Sequence, residues 1–205
     1  MAYFPAFVKT DGKKCLVIGG GKVAYRKVQM FFDFGLQITV VAPLIVNGLK
    51  TLEQVEILER QFEMSMLKEY DLVIAATDQA DLNQEIAEEC KKKNILVNVV
   101  NAPESGNFIC PAYIKRGDVV AAFSSGGSSP VIPQYLKNQI APFMTESLGD
   151  QAEYLKSVRE QVKTSVPNHA GRKNAYEQIL RFCQEEQRLP SEEEFEHIIN
   201  DIVLE

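Results

Sequence analysis

The stretch Lys14-Cys15-Leu16-Val17-Ile18-Gly19-Gly20-Gly21-Lys22-Val23-Ala24 decides the fold. Its first five residues form a short apolar run with β-branched members, the signature of a buried strand. Three glycines follow at once, and from Val23 to Phe34 the apolar positions Val23, Met30, Phe31 and Phe34, with the Lys27 stem, recur at helical spacing. Gly35 then stands where a helix commonly ends on a residue with positive φ. Strand, glycine turn and helix in this order fit the pattern G-x-G-x-x-A. Gly19 permits a tight turn, Gly21 lets a pyrophosphate approach the backbone, and Ala24 lets the helix pack close to the sheet. The helix N-terminus offers N–H groups to the phosphates.

Working outward, strands are predicted at Ile38–Ala42, Val55–Leu58, Asp71–Ala76 and Ile95–Val100, with a helix over Leu82–Lys92 between the last two. Continuous apolar runs such as Asp71-Leu72-Val73-Ile74-Ala75-Ala76 suit parallel strands buried on both faces. The alternation is that of an open α/β sheet, so residues 1–112 are expected to form a Rossmann-type parallel sheet. Beyond Pro111 the pattern changes. Val119–Phe123 reads as one more strand, leading through Ser124-Ser125-Gly126-Gly127-Ser128-Ser129-Pro130 to a serine-capped helix with Pro130 in its first turn, kept short or bent by Pro133 and Pro142. Residues 113–147 are too few for an independent core and are expected to serve as a dimerisation segment. From 148 to 205 only helices are predicted. The first carries Leu148, Ala152, Leu155, Val158, Val162 and Val166, the second spans Ala175–Cys183, and Ser191 with Glu194 opens a third through a capping box.

Composition narrows the function. The 205 residues are 45% hydrophobic and 24% charged, ordinary for a globular chain. The formal net charge is −6 and no basic stripe is present, so nucleic acid is not an expected partner. Apolar runs stop well short of the roughly 20 residues of a membrane span, and no secretory signal opens the chain. Cys15, Cys90, Cys110 and Cys183 are scattered without Cys-x-x-Cys pairs, so no metal site is expected and reduced thiols in a cytoplasm are the simple reading. His169 and His197 read as solvated tail residues. The end of the second strand, Ala42-Pro43-Leu44, lacks the acidic residue that usually holds the ribose hydroxyls, so the ribose is left to backbone or another group; it also lacks an arginine for a 2′-phosphate, and this favours NAD over NADP.

Several further stretches carry a resemblance. They are Ala6-Phe7, Cys15 to Ala24 with Arg26-Lys27, Ala75-Ala76-Thr77-Asp78, Asn98-Val99-Val100, Phe108-Ile109-Cys110-Pro111-Ala112 and the run Ser124 to Pro130. Together they resemble the precorrin-2 dehydrogenase and ferrochelatase family, the dehydrogenase half of siroheme synthases, closely from Tyr3 to Leu148 and loosely in the helical tail. The resemblance implies NAD-dependent conversion of precorrin-2 to sirohydrochlorin, with iron insertion in some members. It also implies a homodimer whose active site lies in a cleft. Lys22 and Val23 would touch the dinucleotide, Pro43 and Leu44 its adenosine side, Thr77 and Asp78 the ligand edge, and Ser125 the active-site cleft. Asp78 alternatively caps the helix that follows it, and Ser125 is alternatively a plain turn residue.

The family commonly reads Asn-Val-Val-Asp where this chain has Asn98-Val99-Val100-Asn101, and that aspartate is its acid/base group. An amide hydrogen-bonds but exchanges no proton at neutral pH. Dehydrogenation is therefore expected with weak or absent ferrochelatase activity, and Glu104 is the nearest substitute carboxylate. Lys115, Arg116, Lys137, Arg172 and Lys173 are candidates for holding a polycarboxylate macrocycle. A non-catalytic NAD- or tetrapyrrole-binding protein of the same fold is the alternative.

Overall fold

The computed structural model describes residues 3–204. They divide into two compact units, with the boundary between Cys110 and Pro111. The first unit holds five parallel strands in the order β3-β2-β1-β4-β5, with β1 Lys14–Ile18, β2 Gln37–Val41, β3 Val55–Leu58, β4 Leu72–Ala75 and β5 Leu96–Val99. The order reverses at β1, which puts a crevice at the carboxyl ends of β1 and β4, where open sheets of this kind bind ligands. Helix α1 (Lys22–Phe32) follows β1, the short α2 (Asn47–Lys50) follows β2, and α3 (Ala80–Lys92) joins β4 to β5. A 3-10 stretch, Met64–Glu69, carries the crossover from β3.

Alternation along β1 explains why this sequence makes a two-faced core. Cys15 and Val17 pack with Ala24, Val28 and Phe31 of α1, while Leu16 and Ile18 pack with Ile86, Ala87 and Cys90 of α3. Burial pushes the Cys90 thiol up to about 12 and the Cys15 thiol higher still, as befits small apolar core residues rather than nucleophiles. The outer edge of β5 is covered by its own continuation. Asn107 takes the Val97 N–H on its side-chain oxygen (2.7 Å) and gives its Nδ2 to the Ile95 carbonyl (2.9 Å), so the edge is paired along this stretch.

In the second unit an antiparallel hairpin of β6 (Ala112–Arg116) and β7 (Val119–Phe123) packs with α4 (Val131–Ile140) and α5 (Glu146–Ser157). The sequence pattern missed β6. Its two-residue loop has Gly117 at φ +54°, the position and sign a tight hairpin asks of glycine. Gly149 of α5 lies so close to this loop that a β-carbon would stand 2.9 Å from the Arg116 carbonyl carbon. Pro130 occupies the cap position of α4 rather than its first turn, and the Ser129 hydroxyl accepts from Val131 N–H (3.2 Å).

The single helix expected through Leu148 to Val166 is instead two, α5 and α6 (Arg159–Ser165), broken at Val158. The reason is packing: α5 rests on the hairpin and α7 (His169–Glu186), whereas α6 rests on α7 and α8 (Glu192–Leu204). Val158, Val162 and Val166 join Ala175, Ile179 and Phe195 in one core. Ser191 and Glu194 form the reciprocal capping box at the start of α8, Glu194 N–H to Ser191 Oγ at 3.3 Å and Ser191 N–H to Glu194 Oε2 at 2.8 Å. Among the described residues, no helix is long and apolar enough to cross a membrane.

Candidate functional site

The carboxyl edge of the parallel sheet brings together the glycine turn, the end of β2, the end of β4 and the end of β5. Each of the three glycines there does something different. Gly19 has φ +126°, and a β-carbon on it would stand 2.3 Å from the Ala76 carbonyl oxygen. Gly20, which the motif treats as a variable position, is pressed just as hard. A β-carbon there would stand 2.0 Å from the Leu44 oxygen, and its carbonyl accepts from Val46 N–H at 2.9 Å. Gly21 faces open space, with nothing within 4 Å of a β-carbon. The first two glycines therefore hold the walls of the crevice together, and the third leaves backbone bare toward a ligand.

Tyr25 is the first residue of α1 whose N–H bonds back to the turn, reaching the Gly21 oxygen at 3.0 Å. The N–H groups of Lys22, Val23 and Ala24 precede it and have no intrahelical partner. No acidic side chain stands in this first turn, so nothing competes with an anion there. Lys22 and Val23 are exposed, as are Pro43 and Leu44 on the β2 side of the crevice. These features fit a dinucleotide: bare backbone for the pyrophosphate and an exposed apolar pair beside it.

The end of β2 carries no cation, but the end of β3 does. Arg60 lies two residues beyond β3, whose Leu58 pairs with Val41 and whose Leu58 carbonyl accepts from Ala42 N–H (3.2 Å). Its guanidinium is held by Glu63 (3.2 Å).

On the other side of the turn, Thr77 and Asn101 are joined through a residue the sequence reading missed. Asn83 of α3 is 1% exposed. Its Oδ1 accepts from Thr77 N–H (3.3 Å) and the Thr77 hydroxyl (2.7 Å), and its Nδ2 donates to the Thr77 carbonyl (3.0 Å) and to Asn101 Oδ1 (3.3 Å). The signal was legible: Asn83, Ile86, Ala87 and Cys90 share the buried stripe of α3, and a polar side chain on such a stripe must find partners. Asp78 is exposed and does not cap α3. The Thr77 hydroxyl instead accepts from Gln79 N–H (3.2 Å) at the cap position. Glu104 is exposed in the 3-10 turn Pro103–Ser105, which Ser105 ties to α3 through Gln84 (2.6 Å).

In the second unit, Ser125 is half-buried and its hydroxyl is used inside its own loop. It donates to the Ser129 carbonyl at 2.6 Å and accepts from Ser129 N–H at 3.1 Å, while Gly126 and Gly127 take positive φ. That geometry ties the loop to itself through Ser125. Arg116 is likewise engaged, with Nε to the Met144 carbonyl (2.9 Å) and an ion pair to Glu146 (3.1 Å). Lys137 stands 5.7 Å over the Tyr113 ring, and Lys173 pairs with Glu177. His169 and His197 are exposed.

Comparison with known proteins adds to this geometry. Residues 6–112 match a family model described as "Putative NAD(P)-binding". A siroheme synthase of Thioalkalivibrio sulfidiphilus is 38% identical over 183 residues, 88% of this chain and 37% of its own length. A siroheme synthase of Methylobacillus flagellatus is 36% identical over 197 residues, 95% of this chain and 42% of its own length. The chain thus spans about two fifths of the length of the curated relatives it matches. Among solved structures, SirC, a precorrin-2 dehydrogenase, superposes with a TM-score of 0.77 over 99% of this chain and 100% of its own, at 22% identity, a likeness of fold.

Proposed function

Because the chain belongs to the NAD(P)-binding family matched over residues 6–112, we propose that it is an NAD-dependent precorrin-2 dehydrogenase acting in siroheme biosynthesis. The observation that carries this reading is the crevice at Gly19, Gly20 and Gly21, tightly closed by two glycines and left bare by the third, in a chain that resembles siroheme synthases over 88% of its length. The overall change is removal of two hydrogens from precorrin-2 to give sirohydrochlorin, as NAD becomes NADH and a proton is released. When bound, NAD supplies the acceptor for the two electrons that leave the macrocycle.

The chain's own residues do the rest. Gly21 and the N–H groups of Lys22 and Val23 hold the pyrophosphate, and Pro43 and Leu44 flank the adenosine side. Thr77 and Asp78 bound the ligand edge, with Asn101 and Glu104 beside it. In this reading Glu104, as the exposed carboxylate of that edge, takes up the proton that dehydrogenation releases. Ser125 acts by holding its loop rigid. Iron insertion is weak or absent, since two pyrrole nitrogens must lose protons and Asn101 accepts none. The absence of a cation at the end of β2, together with Glu63 holding Arg60, supports NAD over NADP.

The reading includes a homodimer in a cytoplasm, built from the sheet domain, a dimerisation segment over 113–147 and a helical domain over 148–205. Its support is α4, which buries none of its residues within the chain: Val131, Ile132, Tyr135 and Ile140 are exposed, and Phe143 beyond it is 78% exposed. Anaerobic incubation with precorrin-2 and NAD tests the activity, with absorbance of sirohydrochlorin and NADH expected to rise in equal amounts. Absence of both products in a protein that binds NAD would favour the non-catalytic alternative, which the amide at 101 keeps open.

A further inference from the structure

The orientation of the Asn101 amide is set by its neighbours. A backbone N–H only donates and a carbonyl only accepts. Thr77 presents both to Asn83, so Asn83 must turn Oδ1 to the Thr77 N–H and Nδ2 to the Thr77 carbonyl. That Nδ2 also reaches Asn101, which must meet it with Oδ1. Turning the Asn101 amide over would set two NH2 groups face to face at 3.3 Å. Its own Nδ2 therefore points away from Asn83, at an exposed position just past β5, and has no partner among the described residues.

We infer that Asn101 is a fixed hydrogen-bond donor for an acceptor oxygen of the bound ligand, and that Asn83 is the positioning residue that fixes it. The inference rests on the proposed function for the ligand's identity. Two acceptors share this chemistry, the carboxamide oxygen of nicotinamide and a carboxylate of the tetrapyrrole. An aspartate at 101 would keep the shape of the side chain and the bond from Asn83, but would offer an acceptor where the amide offers a donor. The two residue types are thus opposites at this point of the crevice.

The test compares the 205-residue chain with its Asn101→Asp and Asn101→Ala variants by titration calorimetry, using NAD, ADP-ribose, which lacks nicotinamide, and sirohydrochlorin as probes. If the acceptor is the carboxamide, Asn101→Asp weakens NAD roughly 2- to 10-fold, the worth of one neutral hydrogen bond, and leaves ADP-ribose unchanged. If it is a carboxylate, both nucleotides are unchanged and sirohydrochlorin weakens by about tenfold or more, since two negative charges then meet. Asn101→Ala shifts the same ligand in the same direction by less. Asn83→Leu, if it folds, weakens that ligand too while Asn101 is still present. Unchanged or tighter binding of all three ligands by Asn101→Asp overturns the inference alone. Failure of the natural protein to bind NAD or sirohydrochlorin overturns the proposed function and this inference together.

Discussion

Alanine at Gly19, Gly20 or Gly21 should separate what the fold needs from what the ligand needs. At Gly19 the new β-carbon starts 2.3 Å from the Ala76 oxygen, and ordinary contact begins at 3.4 Å, so backbone must move by about 1.1 Å. Residues of the tightly paired β1 and β4 resist that movement, and overpacking of this kind costs about 1–3 kcal/mol. A φ of +126° adds roughly 1–3 kcal/mol for any residue with a β-carbon. A loss of about 3 kcal/mol is a large part of the ~5–15 kcal/mol of a typical domain and lowers the melting temperature by about 12 °C at ~4 °C per kcal/mol. Gly20→Ala starts 2.0 Å from the Leu44 oxygen and should destabilise by a comparable amount without the φ contribution. Gly21→Ala meets nothing within 4 Å and sits at φ −90°, so its stability should stay within about 1 kcal/mol of the natural protein. Its new methyl group occupies the space assigned to the pyrophosphate, and NAD affinity should fall by about tenfold or more. Gly21→Val should abolish binding. Urea unfolding and calorimetry on the same preparations provide both readouts. A Gly21→Ala protein with full NAD affinity would refute the placement of the pyrophosphate, and a Gly19→Ala protein of natural stability would refute the packing argument.

NADP should bind more weakly than NAD, and Glu63→Gln, which releases Arg60, should narrow the gap; calorimetry showing NADP equal to or tighter than NAD in the natural protein would contradict this. Sedimentation at micromolar concentration should show a dimer, and Tyr135→Asp with Phe143→Asp should dissociate it with the helical content retained. At saturating sirohydrochlorin, Asn101→Asp should raise the rate of iron insertion, and Glu104→Gln should lower the dehydrogenation rate by roughly 10²-fold or more if Glu104 takes the proton; anaerobic assays of both reactions check the pair. The Arg188 guanidinium, and behind it the Ser191 N–H, hold the Glu194 carboxyl at about 2 against an ordinary 4.5. Its folded value is depressed, so the contact supports α8 above pH 4.5 and is lost as the pH falls toward 2. Amide protection factors around 188–195, taken relative to the intrinsic exchange rate at each pH, should fall over that window, and Glu194→Gln should remove that pH dependence.

The sheet was legible because its chemistry is redundant. The strands β1, β4 and β5 are nearly continuous apolar runs, and burial on both faces admits little else, so their predicted ranges differ from the observed ones by a residue or so. The strand β6 was not legible, since Tyr113, Lys115 and Arg116 are half-buried at most and only Ile114 is buried. Its pairing depends on the Gly117 turn and on Gly149 approaching from α5, a contact between residues 32 apart that no local pattern encodes. The break at Val158 escaped for a related reason. Spacing of three and four continues across it, and the interruption coincides with a change of packing partners from the hairpin to α8.

The site divides along the same line. Gly19 and Gly21 were found because a motif compresses a backbone requirement into sequence, while Gly20 was passed over because its requirement comes from a loop 24 residues away. Asn101 stands where the family commonly carries an aspartate, and the sequence alone shows only that a carboxylate is missing. Asn83 adds a direction to that change. It accepts from the Thr77 N–H and hydroxyl and donates to Thr77 and Asn101, so both of its amide atoms are committed and the side chain has no freedom to turn. An amide at 101 is then a donor of fixed direction, a property that neither the residue's identity nor its spacing contains. What sequence supplies here is the type of each group. What the fold supplies is the sign with which that group faces the crevice, and the chemistry of the edge follows from the sign.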